Sequence, residues 1–136
     1  MARHVASWSK DPSTKVGAVI FDQQNRVVSL GYNGFPKGVD DSPERYADRQ
    51  LKYRMVVHAE ANAILFAQRG LVGCSIATWP FMSCSACAAM IIQSGIRRCV
   101  APRLSEELAS RWSESCAAST MMFSEAGVEL ALYDPI

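Results

Sequence analysis

Several things are missing from this chain of 136 residues. No stretch of about 18 uncharged apolar residues occurs, which excludes a helical membrane span. The charged start, MARH, is not followed by the apolar core of a signal peptide, so the expected compartment is the cytoplasm. An excess of charge is also missing: the net charge is +1, which removes bulk attraction to nucleic acid or to a membrane surface. No internal repeat or low-complexity segment breaks the chain, and its length suits one domain, residues 1–136. Histidine is scarce, with only His4 and His58. The five cysteines, Cys74, Cys84, Cys87, Cys99 and Cys116, are odd in number and have no secretory context, which argues against a disulfide framework.

What is present reads as alternating elements. ARHVASWS near the start forms a short helix ended by KDPS. The apolar run Val16 to Phe21 and the segment Arg26 to Tyr32 read as two strands joined by DQQN, a hairpin. The glycines and prolines of Asn33 to Pro43 mark a loop. Ser42-Pro43-Glu44 then starts a short helix to about Lys52. A helix over Ala59 to Arg69 should end at Gly70. Strand Ser75 to Trp79, helix Ser83 to Ser94 with Gly95 at its end, and strand Arg98 to Ala101 stopped by Pro102 follow. Ser105 can cap a long helix to about Ala126, ended by Gly127, before the last strand, Val128 to Tyr133. The alternation predicts a three-layer α/β/α sandwich around a mixed five-stranded sheet, mostly parallel beyond the opening hairpin, with helices on both faces.

Against this frame the segment VVHAEANAI, Val56 to Ile64, is unusual. His58 and Glu60 stand two apart, a spacing that does not share a face on a regular helix. At an extended entry into a helix both side chains can reach one point. Cys84 and Cys87 form a CxxC at the start of another predicted helix, where free N–H groups and the helix dipole favour thiolate. His58, Cys84 and Cys87 are thus candidate ligands for one zinc ion. Three protein ligands leave the fourth tetrahedral position open, which is the catalytic arrangement, and no second CxxC exists to close it. Zinc lowers the pKa of a bound water to about 7, and Glu60 can then move protons as a general acid and base without binding the metal. The bland readings are a redox pair or chance for the CxxC, and a dipole-favoured glutamate for Glu60. The coincidence of both motifs at predicted helix starts favours zinc. Cys74, Cys99 and Cys116 lie among apolar or small residues and read as buried thiols.

At these residues the sequence resembles the zinc-dependent cytidine deaminase superfamily, whose signature is H-x-E followed by P-C-x-x-C. Here it stands as His58-Ala59-Glu60 and Cys84-Ser85-Ala86-Cys87. SKDPSTKVGAVI, GYNGFPKG, KYRMVVHAEANAI and CAAMIIQSGI are similar to segments of the deoxycytidylate (dCMP) deaminases, and together cover most of Ser9 to Ile96. One departure is Ser83, which precedes Cys84 where the signature has proline. Pro80 lies three residues earlier, in WPFMSC, which reads as a loop about two residues longer near the base.

The resemblance implies hydrolytic deamination. A water activated by zinc attacks C4 of cytosine, Glu60 protonates N3 and then the leaving amine, and dUMP and ammonia result. It implies that Asn33 contacts the nucleotide sugar, although Asn-Gly is also a common turn pair. Backbone groups at Ala59 and Ser83 are expected to orient base or water. Ser9, Lys10 and Lys37 are the expected source of a phosphate contact. The resemblance further implies a homo-oligomer, a hexamer in many dCMP deaminases, activated by dCTP and inhibited by dTTP. Gly31, Tyr32, Gly34 and Lys37 would line the loop for such a dNTP and its Mg²⁺. A second, structural zinc is not expected, since His4 is the one histidine left over.

Other deaminases remain as alternatives, acting on a different cytosine nucleoside or nucleotide or on tRNA adenosine. The last lacks the basic face expected of a tRNA enzyme. A non-catalytic zinc module for nucleotide sensing leaves Glu60 without a task. A thiol redox protein leaves both His58 and Glu60 unexplained.

Overall fold

The computed structural model describes residues 1–135. It consists of α1 (Ala2–Ala6), β1 (Gly17–Phe21), β2 (Val27–Tyr32), α2 (Pro43–Ala47), α3 (Arg49–Met55), α4 (Ala59–Ala67), β3 (Ser75–Trp79), α5 (Ser85–Gln93), β4 (Arg98–Pro102), α6 (Glu106–Ala126) and β5 (Glu129–Tyr133). The five strands form one sheet in the order β2-β1-β3-β4-β5. β1 runs antiparallel to both β2 and β3, whereas β3, β4 and β5 are parallel. The sheet is therefore mixed, as expected, but only half of its pairings are parallel rather than most. The hairpin inserts β1 between β2 and β3, which adds a second antiparallel pairing.

Both faces are covered, unequally. Ala18, Ile20, Ile76 and Cys99 face a core shared with Ala59 and Ala63 of α4, Ala88 and Ile91 of α5 and Phe123 of α6. Val19 faces the other way and packs with Ala2 and Val5 of α1. Two glycines set the helix distances. A Cβ on Gly17 would lie 2.2 Å from the Ala2 carbonyl oxygen, and one on Gly31 would lie 2.2 Å from the Ala59 carbonyl oxygen. Helix backbone thus rests directly on strand backbone on each face. Among the described residues no helix is long and apolar enough to cross a membrane.

Local chemistry explains most boundaries and a few shifts. Ser105 accepts a hydrogen bond from the Leu108 N–H at the start of α6, and Gly127 ends that helix with φ +74°. The expected helix to Lys52 is instead two helices. Asp48 leaves the helical region, with ψ +95°, and its side chain caps α3 by accepting from the Leu51 N–H. α4 stops earlier than Gly70, because Gln68 takes the left-handed conformation with φ +52°. Pro102 belongs to β4 rather than stopping it. β3 pairs with β4 only as far as Val100, so the proline ring costs no bond on that side.

Candidate active site

Two helix starts converge at one end of the sheet. Val57 forms a two-way backbone bridge with Gly34, with N···O distances of 3.1 and 2.7 Å. This bridge delivers the chain to His58, which is extended at the N-cap of α4 (φ −70°, ψ +155°). Glu60 follows within the first turn of the helix. The change from extended to helical backbone between them lets both side chains serve one site. α4 is held on β2 by Ser29 Oγ, which donates to the Ala63 carbonyl at 2.7 Å, and by Asn62 Nδ2, which donates to the Tyr32 carbonyl at 2.8 Å. Cys84 is the N-cap of α5, one position outside the first turn in which it was expected, and Cys87 lies within that turn.

His58 Nδ1 lies 3.6 Å from Cys84 Sγ and 3.3 Å from Cys87 Sγ. The three donor atoms all fall within 4.8 Å of one another. Tetrahedral zinc, with bonds of about 2.3 Å to sulfur and 2.0–2.1 Å to nitrogen, separates its S and N ligands by about 3.6 Å. The donor set and its spacing therefore fit zinc. Three ligands from helix N-termini leave a side open toward a cavity.

The electrostatics follow from the same geometry. The Cys84 thiol is held well below its usual range by the hydrogen bond from Cys87, and His58 adds to this against the cost of burial. Cys87 is pushed up by that same hydrogen bond and by burial. The Cys84 hydrogen bond raises His58 against its partial burial. Glu60 is buried, and loss of solvent raises its carboxyl above the ordinary range despite a hydrogen bond to Ser83. A carboxyl poised to hold a proton beside a cavity suits proton transfer.

The cavity is about 350 Å³ and is lined by His58, Glu60 and Cys84 together with Asn33 and the backbone segment at Ala59. Pro80, Phe81 and Met82, the residues of the expected longer loop, form one wall. Phe81 stacks on Trp112 of α6, with ring centroids 6.1 Å apart. Asp11 and Lys52 line the cavity too, as a buried ion pair.

The other residues singled out from the sequence are placed as follows. Asn33 is buried, and its amide fastens the preceding loop: Oδ1 accepts from the Val16 N–H at 2.8 Å and Nδ2 donates to the Thr14 carbonyl at 2.9 Å. Ser9 is buried and donates to the Asn33 carbonyl, and Ser83 is buried with its carbonyl accepting from Ser119. Lys10 is exposed and paired with Asp41 at 2.9 Å, and Lys37 lies over the Phe66 ring, 4.7 Å from its centroid. Neither lysine lines the cavity. Gly31 lies inside β2 against α4, Tyr32 makes an edge contact with Trp8, and Gly34 holds the bridge to Val57.

Cys74 and Cys99 are buried in the core, and burial pushes the Cys99 thiol up to about 12. Cys116 departs from the expected buried thiol. It is half-buried and lines the cavity, because its face of α6 looks toward the site rather than the sheet. Sequence reasoning missed Asp11, Arg49, Lys52, Arg111 and Trp112 as cavity residues.

Residues 1–102 match the family model for the cytidine and deoxycytidylate deaminase zinc-binding region. An uncharacterized deaminase in the luxG 3′ region of Aliivibrio fischeri is 53% identical over 130 residues, covering 96% of this chain and 86% of that one. The deoxycytidylate deaminase of Mus musculus is 39% identical over 138 residues, covering 96% and 74%. In fold, the chain is similar to the dCMP deaminase of cyanophage S-TIM5. The TM-score is 0.72 at 20% identity, over 97% of this chain and 90% of that one.

Proposed function

The chain belongs to the cytidine and deoxycytidylate deaminase family, whose zinc-binding region it matches over residues 1–102, and from that membership we propose that it converts dCMP and water to dUMP and ammonia. The observation that carries this reading is the convergence of His58, Cys84 and Cys87 on one point, beside a cavity lined by His58, Cys84 and the buried Glu60. Its support in substrate is the name of the Mus musculus relative, deoxycytidylate deaminase, and a structure of the phage enzyme in complex with dCMP and dUMP.

His58 Nδ1 and the Cys84 and Cys87 sulfurs would hold the zinc ion, which would supply a Lewis acid that makes a water nucleophilic near neutral pH. Glu60 takes a proton from the attacking water and delivers it to N3 of the cytosine. It then passes the second water proton to the exocyclic amine, so that the C4–N bond breaks, C4=O forms and ammonia leaves. Its burial raises the carboxyl above its ordinary range, which moves its basicity toward the task. The Phe81–Trp112 pair gives the cavity an apolar wall against which a flat base can lie. Asn33 lines the cavity with its carboxamide engaged by the Val16 N–H and the Thr14 carbonyl, and the resemblance assigns it the contact to the sugar.

The five strands form one sheet with helices packed on both faces, which supports reading residues 1–136 as one catalytic domain; a cytoplasmic location belongs to the same proposal. Regulation by dCTP with Mg²⁺ and by dTTP rests on the resemblance of the GYNGFPKG segment, and a hexameric assembly on the resemblance to the dCMP deaminases; both belong to the same proposal.

The test is ammonia release from dCMP by zinc-loaded protein, repeated with dCTP and Mg²⁺, with Glu60→Ala as control. Turnover lost in a variant that still binds zinc supports the assignment. No turnover in either condition by the zinc-loaded parent would overturn it.

A further inference from the structure

We propose that Ser83 is a positioning residue for the reaction: braced by Ser119 and Ser115 of α6, it donates its hydroxyl to Glu60 and holds that carboxyl in one orientation. The inference rests on the deaminase reading above and gives a task to the residue that stands where the family signature has proline.

The backbone around Cys84 is held from outside α5. Ser115 and Ser119 stand four apart on α6 and so share a face. Ser119 Oγ donates to the Ser83 carbonyl at 2.9 Å, and the Ser119 side chain is fully buried. Ser115 Oγ accepts from the Ser85 N–H at 2.9 Å. The residues on either side of the candidate ligand Cys84 are thus both fastened to one helix. Thr78 Oγ1, on β3, donates to the Phe81 carbonyl at 2.8 Å and holds the other end of the connection. A proline at position 83 would fix φ through its ring and would carry no donor. Serine leaves φ free, and the two bonds from α6 supply the restraint from outside. It also brings a hydroxyl that proline lacks.

That hydroxyl reaches Glu60. Ser83 is 3% exposed and Glu60 4% exposed, and the Ser83 side chain hydrogen-bonds the Glu60 carboxyl. Glu60 lines the cavity and Ser83 does not, so the serine acts through the carboxyl rather than on a substrate. The carboxyl has to serve N3 and the exocyclic amine in turn, and proton transfer at each depends on its geometry. A hydroxyl suits that task because it can both donate and accept. It stays bonded to Glu60 whether the carboxyl is ionised or protonated. α6 lies beyond residues 1–102 of the family match, so the brace joins the shared zinc region to a helix outside it.

The experiment uses the zinc-loaded full chain for kinetics and the chelated full chain for stability. Steady-state turnover of dCMP is compared in the parent, Ser83→Ala, Ser83→Thr and Ser119→Ala, with zinc affinity measured by chelator competition. Ser83→Ala should lower kcat about 10- to 100-fold, the worth of a hydrogen bond to a charged group, with KM and zinc affinity nearly unchanged. Ser83→Thr, which keeps the hydroxyl, should recover part of that loss. Ser119→Ala should lower kcat in the same direction by less. Urea unfolding of chelated protein then tests the contact without any turnover. Ser83→Ala should lower the unfolding midpoint of the parent, and lower it much less where Glu60→Ala has already removed the partner. A parent that turns over dCMP, with unchanged kcat in Ser83→Ala, overturns the positioning role and leaves the deaminase reading standing. Equal losses of midpoint in both backgrounds overturn the bond to Glu60. Unchanged kcat in Ser119→Ala overturns the brace. A parent without turnover whose Ser83 and Glu60 remain coupled keeps the contact and overturns the deaminase reading.

Discussion

Lys52 Nζ reaches both carboxylate oxygens of Asp11 at 3.0 Å, across 41 residues of chain, with side chains 7% and 3% exposed. Asp11 also accepts from the Ser13 and Thr14 N–H groups, at 2.9 and 3.4 Å, so the pair ties α3 to the loop that leads into β1. This loop carries the backbone groups that fix Asn33. Replacing one member leaves a buried charge without its partner, which typically costs about 3–5 kcal/mol. Lys52→Met should therefore be strongly destabilising in urea unfolding. Asp11→Asn with Lys52→Met should cost clearly less than the two single changes added together, because no charge is stranded. Additive losses would mean the pair is not coupled.

Gly31 makes a comparable prediction by sterics alone. Its Cβ would stand 2.2 Å from the Ala59 oxygen and 2.5 Å from the Ala63 nitrogen, both backbone atoms of the helix that begins at His58. Gly31→Ala must push α4 off the sheet, at or above the roughly 1–3 kcal/mol usual for overpacking. Gly17→Ala makes the same clash with α1, which carries no site residue. Both variants should unfold at lower urea than the parent. Gly31→Ala alone should also weaken zinc binding and turnover, measured under conditions where both remain folded. Equal effects of the two on zinc affinity would break the link between helix placement and site.

Features written into neighbouring residues were legible in the sequence. α6 shows this: Ser105 and Gly127 each act within one turn of themselves, so cap and stop were visible at the two ends of a 21-residue helix. His58, Glu60, Cys84 and Cys87 were legible because metal chemistry demands particular side chains at helix starts. The break at Asp48 was not, since an aspartate in mid-segment serves equally as an exposed helix residue and as a second N-cap. The Asp11–Lys52 pair and the arrival of Arg111 and Trp112 at the cavity were not, because they depend on how the sheet sets distant segments side by side. Lys10 looked available for phosphate until the fold brought Asp41 to it.

Metal removal should abolish activity without unfolding the protein. The core that holds α4 and α5 is made by Ala59, Ala63, Ala88 and Ile91 against Ile20 and Ile76, and does not depend on the ligands. Chelated protein should keep its far-ultraviolet circular dichroism, melt at lower temperature, and regain turnover on addition of one equivalent of zinc. The melting shift should grow with free zinc as expected for a ligand that binds only the folded state. Cys87→Ser should behave like chelated protein even with zinc present. Collapse of the helical signal on chelation would instead mark the metal as a folding cofactor, as in small zinc domains.

Glu60 should carry a stability cost that depends on pH. Burial raises its carboxyl above the ordinary value of 4.5, so the folded state holds a proton that the unfolded state releases. Stability contributed by this group is therefore highest in acid. It falls as pH rises through the unfolded value and levels off above the raised folded one. Glu60→Gln removes the titration and keeps the shape. In chelated protein it should unfold at higher urea than the parent at neutral pH, and the difference should shrink as pH falls below the ordinary carboxylate range. The same substitution should lower kcat for dCMP by about 10²–10⁴, the usual worth of a positioned acid–base group. A variant less stable than the parent at neutral pH would mean that the carboxylate is held by contacts stronger than its desolvation, and that burial is not what tunes it. Opposite movements of stability and turnover on one change would show the site being maintained against the preference of the fold around it.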